Sequence, residues 1–158
     1  MDFEEHDQRP GAESKKARPL VNVFAIVAGF ACDFVGTYAF NFVVAIIMVL
    51  FMKSRGIEGE ALESGLNQFM SGNAYCMFSI LIGFSFTMLG GYIAGRVAKH
   101  GELFHAGAVG VINVLFSLYF MEVYPAWYWL VVFMVIPVAI FGGYNAKKYN
   151  TAGRKRIL

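Results

Sequence analysis

The chain has 158 residues, 58% of them hydrophobic and 15% charged, with a formal net charge of +2. An average soluble domain carries roughly 25% charged residues, and the charges here are confined to a few short stretches, which excludes an ordinary soluble domain and indicates a polytopic membrane protein. Crossing a bilayer several times takes about half of the chain, so no room remains for a separate soluble domain.

A polar tail, residues 1–19, precedes the first apolar run at 20–52, and further runs follow at 73–97, 103–121 and 126–146. Each reaches about the 20 residues that a helical span needs, and an isolated span must satisfy its backbone internally. The expected fold is therefore all-α: an integral membrane bundle of four transmembrane helices over 20–148, arranged as two hairpins, with a basic tail at 149–158. The first run is too long for the apolar region of a signal peptide and follows an acidic start, so it is expected to stay in the mature chain. At 1.5 Å per residue it measures about 50 Å against a hydrocarbon core of ~30 Å, more than tilt accommodates. It must protrude, or break near Gly29 or Gly36. Next, Ala61, Leu62, Leu66, Phe69 and Met70 recur at roughly helical spacing opposite Glu60 and Glu63. That pattern suits a short interfacial helix or, equally, a solvated loop.

Lysine and arginine set the orientation. Arg9, Lys15, Lys16, Arg18, Arg96, Lys99, Lys147, Lys148, Arg154, Lys155 and Arg156 fall on one side, eleven in all, against Lys53 and Arg55 on the other. Both termini are expected in the cytoplasm, and the bias is too strong for dual topology. The second outer turn carries Glu122, Tyr124, Trp127, Tyr128 and Trp129, an aromatic cluster suited to a headgroup boundary.

Small and polar residues form stripes along the spans. Gly29, Asp33, Thr37 and Asn41 follow at i+4 in the first, with Gly36 alongside; Ser79, Gly83, Thr87, Gly91 and Gly95 do so in the second; Ala106, Gly110, Asn113 and Ser117 share a face of the third. The fourth has Ala139, Gly143 and Ala146, with Pro137 as an expected kink. Such faces meet helices rather than lipid, so the first three spans are expected to enclose the polar centre. The run Gly90-Gly91-Tyr92-Ile93-Ala94-Gly95-Arg96 is echoed by Gly142-Gly143-Tyr144-Asn145-Ala146-Lys147-Lys148, which makes each hairpin one unit of a parallel repeat. In both, the glycines allow close backbone approach, while Tyr92 and Tyr144, with Arg96, Lys147 and Lys148, anchor at the headgroups as Trp127 and Trp129 do at the opposite face.

Asp33-Phe34-Val35-Gly36-Thr37, the Gly90 to Arg96 run and the His105-Ala106-Gly107 start of the third span resemble small bacterial four-span membrane proteins with a Gly-Gly-Tyr-x-Ala-Gly-Arg signature. The resemblance covers most of the membrane domain and implies a four-helix fold in a bacterial inner membrane; it supplies no activity. Gly36-Thr37-Tyr38-Ala39-Phe40-Asn41 is also similar to a Gly-Thr-x-x-x-Asn stretch of small four-span fluoride channels, and Phe84-Ser85-Phe86-Thr87 to their phenylalanine-rich helix. Two features disagree: no arginine lies in the first span, and the charge bias does not suit antiparallel dimers. Small multidrug transporters share four spans and one early acidic residue, but they are shorter and nothing else matches.

Asp33 is the only ionisable carboxyl within the first run, where such a group costs several kcal/mol unless it is used. Two readings stand. Asp33 bonds across the bundle to Asn113, Thr87, Thr37 or a carbonyl and glues the helices, or it handles a proton or ion within a polar site that also includes Asn41. No enzymatic pattern is present: His6, His100 and His105 lack metal-ligand spacing, and there is no nucleophile elbow or phosphate loop. Neither metal nor cofactor is expected. Cys32 and Cys76 lie at different depths and read as buried thiols, and His100 and His105 as interfacial residues. Membrane lipids, and a membrane-protein partner or a second copy, are the expected partners; the basic tail suits anionic lipid better than nucleic acid. The chain thus reads as an interaction or assembly component in an oligomer, or alternatively as a small channel or carrier with Asp33 at its narrow point.

Overall fold

The computed structural model describes residues 21–119 and 127–155. Expectations that rest on residues 1–19, Glu122, Tyr124, the Trp129 side chain and the last basic side chains, Arg154 to Arg156, lie outside the described residues. The described chain forms five helices: α1 Val23–Ser54, α2 Glu60–Met70, α3 Asn73–Ala98, α4 Glu102–Tyr119 and α5 Tyr128–Lys155. Four of these, all but α2, are long and apolar enough to span a membrane.

Local chemistry explains the helix ends. The Asn22 side chain accepts the Ala25 N–H at 3.2 Å, capping α1. Gly56 and Gly59, at φ +75° and +61°, turn the chain into α2, whose first turn places Glu60 and Glu63 at the positive helix end. α2 is a helix rather than a loop. It buries no residue, leaning on α1 where Gly65 faces the Met52 side chain, which a Cβ at Gly65 would meet at 3.3 Å, and on α3 through the Phe69 and Tyr75 rings at 5.2 Å. α1 runs unbroken through Gly29 and Gly36 over its 32 residues, so it does not break at these glycines. α5 passes through Pro137 and continues to Lys155, beyond the end of its apolar run. Hydropathy marks where the membrane ends; the backbone stays helical because no proline or glycine intervenes between Tyr144 and Ala152.

The packing is that of a bundle in lipid. Among the described residues six of the ten buried apolar ones are alanines, while Phe24, Phe42, Leu50, Leu115 and Leu130 are exposed, so helices associate through small residues and the bulky side chains face outward. α3 packs most extensively on α5, then on α1; α4 packs on α5, on α3 and more lightly on α1, while α1 and α5 do not touch among the described residues. A Cβ on Gly29 would lie 2.6 Å from the Gly90 carbonyl, and a Cβ on Gly90 equally close to the Gly29 carbonyl, so this crossing of α1 and α3 admits only hydrogen. The α3–α5 crossing is tighter: Gly91 sits on the Ala139 backbone and Gly142 on that of Met88 and Tyr92. With Gly95 against Ala146 and Gly143, these contacts make α3 and α5 parallel neighbours that bring the two Gly-Gly-Tyr runs side by side. Both the start of α1 and the end of α5 lie beside the first turn of α4, where Asn22 reaches His105 and Asn150 reaches Glu102.

Candidate functional site

Asp33 lies ten residues into α1, about 15 Å along a helix rising 1.5 Å per residue, and is 5% exposed. Its Oδ2 accepts the Thr87 hydroxyl of α3 at 2.9 Å and the Asn113 amide of α4, and its Oδ1 the Thr37 hydroxyl at 3.4 Å. One carboxyl thus joins three helices. Two donors occupy Oδ2, so an acid proton on Asp33 would point from Oδ1 at Thr37, which can accept as well as donate. Asn41, on the same stripe, belongs to a second level nearer α2. Its Nδ2 donates to the Thr37 carbonyl at 2.8 Å, while its Oδ1 accepts from Tyr75 at 2.5 Å and Ser79 at 3.3 Å. The polar residues therefore form two connected tiers.

The glycines on these faces are mostly consumed by packing. Gly36 lies against the Phe86 ring, Gly110 against Ile136 and Ala139, and Gly143 against Ala106 and the Glu102 carbonyl. Gly83 differs from its expected packing role: a Cβ there meets nothing within 4 Å. It lies between the Asp33–Thr87 and Asn41–Ser79 contacts, each made by two side chains, so the backbones at this level stand side-chain lengths apart.

The residues expected to anchor in headgroups divide. Trp127, Tyr144, Lys147 and Lys148 are exposed and Tyr92 is half-buried. Arg96, half-buried, joins two helices: its guanidinium lies 4.0 Å over the Tyr149 ring and donates to Asn150 Oδ1 at 3.2 Å. Asn150 in turn donates to Gly95 O at 3.4 Å and to the buried Glu102 at 3.3 Å. His105 is likewise packed between helices. It is 1% exposed, its Nε2 accepts the Asn22 N–H at 2.8 Å, and its Nδ1–H donates to Gly101 O at 2.9 Å. That arrangement fixes one neutral tautomer and ties the start of α1 to α4. The signal for this cluster in the sequence is only His105 and Glu102 three residues apart on one helical face. Cys32 and Cys76 are free thiols, Cys76 buried beside the Asn41 tier and Cys32 next to Asp33.

Among the described residues no group of three or more His, Cys, Asp or Glu side chains could hold a metal ion. The Asp33 centre is built only of a carboxyl, hydroxyls and an amide with satisfied bonds, an arrangement that holds helices in register. The chain matches no known protein family, no curated protein and no solved structure.

Proposed function

We propose that this chain is a small inner-membrane protein of bacterial type, built as two hairpins (α1 with α3, α4 with α5) with both ends cytoplasmic, that acts as an interaction or assembly component in a homo- or hetero-oligomer. The carrying observation is Asp33: its oxygens bond to Thr37, Thr87 and Asn113 in a buried, close-packed centre, so the intramembrane carboxyl serves cohesion. No catalytic role follows from such a centre. What the bundle leaves outside is a bulky apolar surface of Phe, Leu, Ile and Val, available to lipid and to other membrane helices. The cytoplasmic placement is supported by Arg96, Lys99, Lys147 and Lys148 sharing the bundle end where α1 begins and α5 finishes, opposite Glu58, Glu60 and Glu63. Two hairpins are supported by the parallel, side-by-side Gly90-Gly91 and Gly142-Gly143 runs.

A second reading, a small channel or carrier, is favoured by one observation: the tiers of Asp33, Thr37, Asn41 and Tyr75 make a polar line from mid-span toward α2. Proton and ion flux into liposomes, wild type against Asp33→Asn, decides between the two. Assembly predicts equal, negligible flux from both proteins and a defined oligomer when subunits are counted in intact membranes. Flux from the wild type alone overturns it in favour of transport.

A further inference from the structure

The outer flank of α4 and α5 carries two concavities that align. The first is an open apolar groove of about 450 Å³ walled by Leu103, Phe104, Gly107, Val111 and Ile112 of α4 and by Ile136 of α5. It stays a groove because Gly107 has no side chain: a Cβ there would only touch Ile140, at 3.7 Å. From Leu103 to Ile112 it follows the helix axis for about 13 Å, close to the depth of one leaflet of a ~30 Å core. The second concavity lies on α5 at Tyr144, Lys147, Lys148 and Thr151. Ile136, Ile140, Lys147 and Thr151 fall on one face of α5, within a sector that Tyr144 and Lys148 widen. The cationic pair therefore follows the apolar groove along α5. The lysines also lie beyond the first residue of α4: Gly143 packs on Glu102, and Lys147 is one helical turn further out.

An apolar groove along the span, followed on the same helix by two exposed cations beside a tyrosine, is complementary to one kind of molecule. We infer that the α4–α5 flank binds one anionic glycerophospholipid, an acyl chain in the Leu103–Ile112 groove and the phosphate on Lys147 and Lys148. This goes beyond assembly and rests on the chain spanning a membrane. Diffuse attraction of a basic tail needs no groove; a bound lipid needs both halves.

The test counts retained lipid. The full chain is reconstituted into vesicles of phosphatidylglycerol and phosphatidylcholine, extracted in mild detergent and weighed by native mass spectrometry. One phosphatidylglycerol per chain stays on the wild type. Lys147→Gln with Lys148→Gln lowers its retention about thirtyfold, from the worth of two lysines near an anionic surface. Gly107→Leu, and independently Val111→Phe at an exposed position, fill the groove and release the lipid with both lysines intact. Lys53→Gln, at the other end, changes nothing. Equal retention of phosphatidylcholine, retention by the double glutamine variant, or retention by both groove variants overturns the proposal, as does release by inorganic phosphate alone. A chain that fails to enter vesicles refutes the membrane placement itself; one that enters without selective retention refutes this site only.

Discussion

Removing the Asp33 carboxyl tests whether it holds the bundle. Its two interhelical bonds, from Thr87 at 2.9 Å and from Asn113, are the strong ones; the Thr37 contact, at 3.4 Å and within α1, contributes little. Interhelical hydrogen bonds in membranes are worth about 0.6 kcal/mol on average and up to about 1.7. Two of them therefore sum to roughly 1–3 kcal/mol, and Asp33→Ala also leaves two buried donors without their acceptor. Asp33→Asn keeps the volume and one acceptor oxygen, so it should cost about 1 kcal/mol, with Asn113 turning its own amide to meet the new one. The decisive quantity is the coupling. Because Asp33 and Asn113 bond directly, the Asp33→Ala/Asn113→Ala double variant loses about 1 kcal/mol less than the two single losses summed. Reversible unfolding in bicelles measures each term. A stable Asp33→Ala protein, or additive single and double variants, would refute the clamp and return Asp33 to a role in solute handling.

Two further outcomes follow from the packing and from the α1 cap. Gly91→Ala drives a methyl into the Ala139 backbone and should cost about 1–3 kcal/mol, whereas Gly83→Ala, opening into free space, should stay within about 0.5; equal effects in the same unfolding assay would contradict the crossing described. His105→Phe removes the acceptor of the Asn22 N–H, so amide exchange over residues 22–26 should rise about tenfold, with His105→Gln rescuing part of it, and unchanged exchange would show that the cap does not depend on the imidazole.

Much of the architecture was legible because helical periodicity maps spacing onto faces. Residues at i+4 share a side, so Asp33 and Thr37, Thr87, and Asn113 could each be assigned an inward stripe, and three inward stripes on adjacent spans meet. What periodicity does not carry is depth and local separation. Gly83 sits on the α3 stripe yet touches nothing, because a glycine packs only where the partner backbone comes close, and the side-chain bonds on either side of it prevent that. His105 and Glu102 sit at the start of an apolar run, where a polar residue ordinarily meets headgroups. They are buried because α1 begins and α5 continues at their level, supplying Asn22 and Asn150 from 83 and 48 residues away.

The continuation of α5 links these points. A basic segment after a last span reads as a tail, since its composition is that of a solvated surface. As a helix it instead sets Tyr149 under Arg96 and Asn150 between Gly95 and Glu102, while the opposite face presents Lys147 and Lys148 outward. The inward polar residues close this end of the bundle, and that closure holds the outward cations at a fixed height above the α4–α5 groove. A flexible tail would spread its charge over the membrane surface; a helix pinned by Asn150 concentrates it at one place.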